Sequence, residues 1–377
     1  MTSETAGVYV HLPFCPYLCP YCDFAKWAWD DARAERYLRA LHAEIDAAPP
    51  VRARTLFFGG GTPTLYGAAE IAAIVARVRE RFALAAGAEV TAEANPDPAL
   101  VEKIPGLIAG GVNRLSIGVQ SFDARELRVL GRRHTAGDVR RAVAAARAAG
   151  VASLSLDLIF GVPGQSVADW ERSLDAALAL DVDHLSCYGL TVEEGTPYAA
   201  WFARDPSAFA DDTREAELYA LAIERLGAAG YEQYEISNWA RPGHRSGHNQ
   251  IYWRNEPYLG LGVSAASYLD GVRSTHARDL EVYCTAALAG ATIPGEFERL
   301  EGAAQAGEAI MLALRTAEGV DAVAFRERYG LDVEERYGTT IDELAAAGML
   351  ERAGTSVRLT ARGRFVANDV CGAFLAD

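Results

Sequence analysis

Six short apolar runs alternate with helical segments over the first 200 residues of the chain, and this alternation constrains the fold more than any other feature. The runs predict strands at 8–12, 55–60, 89–94, 114–119, 154–160 and 184–190. The stretches between them predict helices at 31–47, 68–85, 99–110, 136–149 and 166–180. Such a series forms a parallel sheet covered by helices, either doubly wound or curved into a barrel. In both architectures ligands bind beyond the carboxyl ends of the strands.

The pattern changes after residue 197 and indicates two further units. A helix is predicted at about 211–229, and a Gly- and Tyr-rich stretch without clear periodicity follows it. From about residue 300 the order helix, short hairpin, helix predicts a small winged-helix-like module. We therefore predict three domains. The first is a βα unit at 1–200 that carries the functional site, the second is an α+β extension at 201–295 that contains HNQIYW, and the third is a C-terminal helical module at 296–377.

The charge balance and the N-terminal residues narrow the class of protein. A net charge of −15 argues against a surface that holds nucleic acid by general electrostatics. No stretch approaches the roughly 20 uninterrupted apolar residues of a membrane span, so we predict peripheral membrane contact at most. The first residues lack a basic segment followed by a long apolar one, which predicts a cytoplasmic protein.

Three of the six cysteines lie close together in the segment CPYLCPYCDF at 15–24. Cysteines of cytoplasmic proteins are metal ligands or reduced thiols more often than disulfides, and thiolates bind soft metals. A [4Fe-4S] cluster held by Cys15, Cys19 and Cys22 uses all three sulfurs and leaves one iron open. Two alternatives are a zinc site completed by His11 and a redox pair of the last two cysteines. The isolated cysteines are predicted to pack as small apolar side chains: Cys187, Cys284 and Cys371.

Glycine and polar residues lie at or near the ends of the other predicted strands. In GGGTPT at 59–64, three consecutive glycines allow main-chain groups to face a ligand, although a tight βα turn is an alternative. Glu93, Gln120 and Asp157 can converge because the strand ends meet at a common mouth. A carboxylate suits a ribose diol or an ammonium group, since it accepts two directed hydrogen bonds. Taken singly, each of these three residues is more often a strand-end cap.

These motifs together resemble the radical S-adenosylmethionine superfamily, in which a C-x3-C-x2-C loop follows the first strand of a βα series. The resemblance implies an α/β fold with a partial (β/α)6 barrel and a [4Fe-4S] cluster on Cys15, Cys19 and Cys22. It also implies S-adenosylmethionine on the open iron and an electron donor such as flavodoxin or ferredoxin. The contacts to S-adenosylmethionine that the resemblance implies are Tyr9, Gly60, Gly61, Thr62, Glu93, Gln120, Arg132 and Asp157.

Within that superfamily the chain resembles the oxygen-independent coproporphyrinogen oxidase group over nearly its whole length. The segments that carry the resemblance include FFGGGTPT, IGVQSF, DLIFGVPGQ and LTARGRFVANDV. The dehydrogenase of that group has a fourth cysteine where Phe24 stands and a longer segment before the cluster. The heme-chaperone branch has endings of the CDF type and a motif H-N-x-x-Y-W, which HNQIYW at 248–253 matches.

The resemblance therefore implies a protein that binds heme and delivers it to respiratory acceptors. A neutral imidazole on His248 could ligate the iron while Tyr252 and Trp253 stack on the porphyrin, and His244 is a rival ligand. In the alternative interpretation His248 makes internal hydrogen bonds and the aromatic rings fill the core. Two enzymes remain alternatives to the carrier: a dehydrogenase that oxidatively decarboxylates coproporphyrinogen III, and a radical methyltransferase.

Overall fold

A twelve-stranded sheet forms the centre of this protein, whose computed structural model describes residues 4–375. Two smaller ladders accompany it, one of two strands and one of three. In chain order the strands are β1 (Glu4–Leu12), β2 (Phe14–Cys15), β3 (Trp27–Ala28), β4 (Val51–Gly60), β5 (Glu89–Ala94), β6 (Arg114–Gln120), β7 (Ser153–Phe160), β8 (His184–Gly189), β9 (Glu232–Glu235), β10 (Asn238–Ala240), β11 (Tyr258–Leu261), β12 (Ala266–Leu269), β13 (Val272–His276), β14 (Gly295–Glu298), β15 (Val320–Asp321), β16 (Leu350–Ala353) and β17 (Ser356–Leu359).

Six neighbouring strands of the sheet are parallel and follow one another in chain order: β1, β4, β5, β6, β7 and β8. A chain that winds in one direction in this way forms part of a barrel, whereas a doubly wound sheet reverses its strand order. Strand β11 lies parallel to β1 on its other side, and β12, β13 and β14 continue antiparallel beyond it. At the opposite edge β10 and β9 add two antiparallel strands next to β8.

Fourteen α-helices lie within the described residues, and the first six connect the parallel strands and pack on the outside of the sheet. They are α1 (Asp31–Ala47), α2 (Ala68–Phe82), α3 (Pro98–Ala109), α4 (Ala124–Val129), α5 (Ala136–Ala148), α6 (Val167–Leu178), α7 (Pro197–Arg204), α8 (Asp212–Ala228), α9 (Gly247–Trp253), α10 (Leu280–Leu288), α11 (Gly302–Leu314), α12 (Ala322–Tyr329), α13 (Val333–Ala346) and α14 (Ala367–Gly372). Side chains fix where several of them begin: Asp30 caps α1, and Thr135 with Asp138 forms a capping box on α5. Each cap stabilises its helix by about 1 kcal/mol. It thereby fixes the residue at which the preceding βα loop ends and the helix begins.

The predicted partial (β/α)6 barrel is confirmed. All six predicted strands are present, and the predicted helices differ from the observed ones by a few residues at most. The largest difference is at α2, which ends at Phe82 instead of residue 85 because Ala83 adopts a left-handed φ of 51°. Strand β11 and the short helix α4 were not predicted.

The C-terminal residues form a module with a hydrophobic core of its own. Helices α11 to α14 surround the three-stranded ladder β15-β17-β16, and the apolar core includes Ile310, Phe325 and Leu350. This arrangement is the helix–hairpin–helix order that the sequence predicts for a winged-helix-like module. The strands of segment 201–295 all join the large sheet, so the structure describes this segment as an extension of the barrel, and the three predicted domain boundaries remain predictions. Within residues 4–375, no helix is both long enough and apolar enough to cross a membrane.

Candidate functional site

A cavity of about 520 Å³ opens at the carboxyl ends of the parallel strands. Its volume is within the range of about 300–1,000 Å³ that is usual for small-molecule sites. Ten residues predicted to bind the cluster or S-adenosylmethionine line it: Cys15, Cys19, Cys22, Gly60, Gly61, Thr62, Glu93, Gln120, Arg132 and Asp157. Tyr9 lines a second cavity that adjoins the first, and His248 lines neither of the two.

The three clustered cysteines lie on and beyond β2, on a loop that returns to pair with β3. The hydroxyl of Thr62 donates to Cys15 Sγ at 3.7 Å, and Nη1 of Arg132 donates to Cys19 Sγ at 3.9 Å. Burial raises the pKa of the Cys15 thiol to about 11, so this sulfur keeps its proton at neutral pH unless a metal replaces it. Donors directed at sulfur stabilise a metal-bound thiolate, and the residues present therefore fit an iron–sulfur cluster.

The alternative of a single zinc ion gains no support from the geometry. Within the described residues, no group of three or more His, Cys, Asp or Glu side chains is arranged to hold one metal ion. His11 donates from Nε2 to the carbonyl of Ala25 at 2.8 Å, and its Nδ1 accepts from the Tyr9 hydroxyl at 3.0 Å. Both ring nitrogens are therefore engaged, and burial lowers the pKa of His11 to about 4. A four-iron cluster places each sulfur on a different iron, so its thiols need not converge on one point.

The glycine loop holds the cysteine loop in place. Gly60 has a φ of +106°, and a Cβ atom there would lie 2.5 Å from the His11 ring. The amide N–H groups of Gly61 and Thr62 donate to the carbonyls of Leu12 and Phe14 at 2.8 and 2.9 Å. These two amides are thus used within the protein, and the predicted contacts of Gly60, Gly61 and Thr62 with S-adenosylmethionine remain predictions. The Thr62 hydroxyl, by contrast, reaches the cavity and accepts from Asn95 Nδ2 at 2.9 Å.

Two carboxyl groups face the cavity from strands β5 and β7. Burial, with a further contribution from Asp157, raises the pKa of Glu93 to about 8. Burial also raises the pKa of Asp157, although hydroxyl groups oppose the shift. One of these is the hydroxyl of Ser116, which donates to both carboxylate oxygens at 3.0 and 2.9 Å. Two buried carboxyl groups whose pKa values are raised form this wall. They suit a ligand that brings a positive charge or a diol.

A bulge in strand β6 directs Gln120 towards the cavity. The pairing of β6 with β7 shifts between Gly118 and Gln120, and Gln120 has a φ of +65°. Arg132 reaches the same region and donates through Nη2 to Asn95 Oδ1 and to the carbonyl of Gly118, both at 2.6 Å. The neighbouring Arg133 is exposed and lies over the Tyr17 ring at 5.0 Å. Of these two adjacent arginines, Arg132 is therefore the one that lines the cavity.

His248 is buried in the protein interior and has no exposed surface. Its Nδ1 lies 2.7 Å from Thr55 Oγ1, its Nε2 lies 2.9 Å from the Tyr252 hydroxyl, and its ring stacks on Phe57. Burial lowers the pKa of His248 to about 3, so the ring is neutral. Ligation of heme iron by His248 would require the ring to give up one of these two hydrogen bonds. The placement agrees with the alternative interpretation, in which His248 makes internal hydrogen bonds.

Two further candidates for heme contact, His244 and Trp253, lie apart from the first cavity as well. His244 contacts Ser153 at the amino end of β7, with Nδ1 3.4 Å from the serine hydroxyl. This is the end of the sheet opposite the cysteine loop. Trp253 lies under the guanidinium of Arg315, at 5.4 Å from the ring centroid. Of the residues considered in HNQIYW, Tyr252 lines the second cavity.

Several residues that line the first cavity were not predicted as site residues: Tyr17, Ser116, Tyr188 and Glu193. Ser116 shares a face of β6 with Gly118 and Gln120, so the two-residue period of a strand could have identified it. Tyr188 lies near the end of the sixth parallel strand, where the rule used for Glu93 applies. Tyr17 lies inside the cysteine loop, and no sequence pattern distinguishes it there.

A cysteine loop at the carboxyl ends of a partial parallel barrel defines the radical SAM class of proteins. Comparison with known families agrees: the Radical SAM superfamily matches residues 9–177, and the HemN C-terminal domain matches residues 300–366. Among solved structures, the coproporphyrinogen III oxidase HemN of Escherichia coli has a TM-score of 0.86 at 24% identity, covering 99% of this chain and 90% of that chain. This likeness establishes the shared fold.

Curated relatives identify the family more closely. Heme chaperone HemW of Mycobacterium tuberculosis is 38% identical, over 98% of this chain and 95% of that protein. The HemW proteins of Bacillus subtilis and Escherichia coli are 34% and 33% identical, each over 98% of this chain and over 99% and 98% of their own lengths. The chain therefore belongs to the HemW family of the radical SAM superfamily.

Proposed function

We propose that this protein is a heme chaperone, which binds heme and delivers it to respiratory acceptor proteins. The observation that carries the proposal is its similarity over nearly the full length to proteins named heme chaperone HemW. Phe24 supports the same choice, because it stands where the dehydrogenase resembled by the sequence has a fourth cysteine. We expect the protein to act in the cytoplasm, with a flavodoxin- or ferredoxin-like electron donor.

The cofactor part of the proposal is a [4Fe-4S] cluster on Cys15, Cys19 and Cys22, with S-adenosylmethionine beside it. When bound, this pair of cofactors supplies one-electron chemistry. Arg132 fits a carboxylate there, because its buried Nε has no hydrogen-bond partner within residues 4–375. Glu93 and Asp157 fit an ammonium group and a ribose diol, and the Thr62 hydroxyl lies against Cys15. These side chains hold and orient the ligand while the barrel shields one side of it from water.

Heme titration in parallel with a coproporphyrinogen assay tests the proposal. The protein is reconstituted anaerobically with iron and sulfide and supplied with S-adenosylmethionine and a reductant. We expect stoichiometric heme binding and no turnover of coproporphyrinogen III. Conversion at a catalytic rate would instead assign the protein to the dehydrogenases. The cysteine assignment is checked on the same samples: C15A/C19A/C22A should lose the cluster absorbance, whereas Cys371→Ala, which changes a buried cysteine of the C-terminal core, should retain it.

A further inference from the structure

A second cavity, of about 360 Å³, adjoins the cofactor cavity. The two share Asp23, Phe24 and Gly60 in their walls, so ligands in both would lie side by side. The volume is at the small end of the range for ligand sites, and Phe24 at its edge is 61% exposed. A large planar ligand could place one edge in this cavity while the rest stays in solvent, which suits a ligand that must later be released.

Five of the eleven residues that line the second cavity have aromatic rings: Tyr9, His11, Phe24, Tyr252 and Tyr258. Tyr9, Tyr252 and Tyr258 contribute rings, and the small residues Ala25 and Ala266 leave space between them. Tyr252 packs edge-on against Tyr258, with ring centroids 4.7 Å apart and planes at 84°. Aromatic rings fixed in this way offer flat contact surfaces to another conjugated ring.

Arg278 supplies a positive charge at the rim of this cavity. It lies in the loop between β13 and α10 and donates through Nη2 to the main-chain carbonyl of Asp23. Within residues 4–375 its guanidinium forms no ion pair, although Asp23 lines the same cavity. The guanidinium has further N–H groups, and arginine binds a carboxylate with two parallel hydrogen bonds.

His248 contributes to this cavity through Tyr252. Its Nε2 is hydrogen-bonded to the Tyr252 hydroxyl at 2.9 Å, and the two rings meet edge to face at 5.1 Å. The motif HNQIYW can therefore affect a ligand in the cavity although His248 does not touch it. In this role His248 is a positioning residue.

We propose that the second cavity binds one edge of the porphyrin of heme, with Phe24 against the ring face and Arg278 paired with a propionate. The inference rests on the proposed function and places its ligand next to the S-adenosylmethionine site. The aromatic walls match the conjugated macrocycle, and the unpaired guanidinium matches its carboxylates. The protein then holds heme by its edge and leaves the other edge free for an acceptor.

Heme titrations of the full-length, reconstituted protein test this placement. Arg278→Gln should weaken heme binding by about fivefold, because the ion pair is exposed. Phe24→Ala should weaken it by about tenfold. Arg39→Gln removes an exposed arginine of α1 that lies 3.7 Å from Glu35, and it should leave the affinity for heme unchanged. Because Phe24 and Arg278 are exposed, both variants should fold and retain their iron.

A second ligand separates the propionate contact from other effects of the substitution. Heme whose propionates are esterified should bind the wild-type protein about fivefold more weakly than heme, and Arg278→Gln should add no further loss with this ligand. His248→Gln should weaken heme binding without changing the absorption spectrum of the bound heme, since a positioning residue does not ligate iron.

Three outcomes would overturn the placement. The first is unchanged affinity in both Arg278→Gln and Phe24→Ala, and the second is an equal loss on esterification in wild type and Arg278→Gln. The third is loss of the bound-heme spectrum in His248→Gln alone, which would make that histidine the iron ligand. In all three the wild type still binds heme and the proposed function stands. Absence of heme binding by the wild type would overturn both the proposed function and the placement of heme in the second cavity.

Discussion

Glu93 shows how burial at a single residue sets the chemistry of the cofactor cavity. Asp157 accepts hydrogen bonds from the hydroxyls of Ser116 and Ser155, which stabilise its anionic form. Glu93 is buried near that charge, and its pKa is raised to about 8. At neutral pH Glu93 therefore keeps its proton, whereas at Asp157 the hydroxyls oppose the rise in pKa that burial causes.

The proton on Glu93 predicts that S-adenosylmethionine binding depends on pH. An ammonium group beside Glu93 favours the ionised carboxylate, so that binding below the pKa releases a proton. We expect the affinity to fall as the pH decreases from about 8 to 6, approaching a tenfold loss per pH unit. Equilibrium dialysis with labelled S-adenosylmethionine at several pH values measures this affinity. Glu93→Gln should remove this slope.

A matched variant controls for the loss of a buried carboxyl group in general. Glu126 is fully buried, its pKa is also raised by burial, and it bonds to Ser121 and Gln165 outside the cavity. Glu126→Gln should therefore keep the pH slope of the wild type. An equal slope in wild type and Glu93→Gln would show that Glu93 does not face the ammonium group.

Among the elements, the loop at the end of β4 has the most specific backbone requirement. Replacement of Gly60 by alanine places a methyl group against His11, at a φ that disfavours side chains. We expect Gly60→Ala to lower the free energy of unfolding by about 2 kcal/mol or more and to reduce the iron retained after reconstitution. We expect the loss of stability and the loss of iron together because His11 and the glycine loop support the cysteine segment. Denaturant unfolding and iron analysis measure the two effects.

Gly150 provides the control for the backbone contribution. Its φ of +77° also disfavours alanine, but a Cβ atom there would meet nothing within 4 Å. Gly150→Ala should therefore lower stability by about 1 kcal/mol and leave the iron content unchanged. If both variants retained full iron, the steric contact between residue 60 and His11 would not matter for the cluster.

The elements also show which parts of the structure the sequence could predict. Periodicity located the six parallel strands, and strand-end position indicated that Glu93, Gln120 and Asp157 share one mouth, because both depend on local pattern and on one general property of parallel sheets. Arg132, by contrast, was predicted only from the family resemblance. Strand β11 was missed because Tyr258–Leu261 is short and becomes a strand only by pairing with β1 from a distant part of the chain. The motif HNQIYW identified a segment of interest, but the sequence predicted neither the helix α9 that it forms nor the orientation of that helix. That orientation depends on contacts such as those of the Gly247 and His248 amides with the Glu89 carboxylate.

At the scale of the whole molecule, the C-terminal module is joined to the sheet next to the second cavity. Arg273 on β13 forms a two-fold ion pair with Glu308 on α11, with Nη2 3.0 Å from Oε2. Arg328 on α12 donates to the main-chain carbonyls of Arg254 and Asn255, which follow HNQIYW. The sequence predicted the module from its local pattern, but these contacts join residues tens of positions apart and could not be read from it.

The Arg273–Glu308 pair predicts that the C-terminal module stabilises strand β13 of the sheet. The Arg273 side chain is 28% exposed and that of Glu308 13%, so solvent screens the pair only in part. We expect Glu308→Gln to lower the free energy of unfolding by about 1 kcal/mol and to speed hydrogen exchange in β13 and α11. Glu334→Gln is the control. It breaks an ion pair with Arg352 that also has two hydrogen bonds but is more exposed and lies inside the module, so hydrogen exchange in β13 should stay unchanged. Equal exchange in β13 for wild type and Glu308→Gln would mean that other contacts hold the module to the sheet.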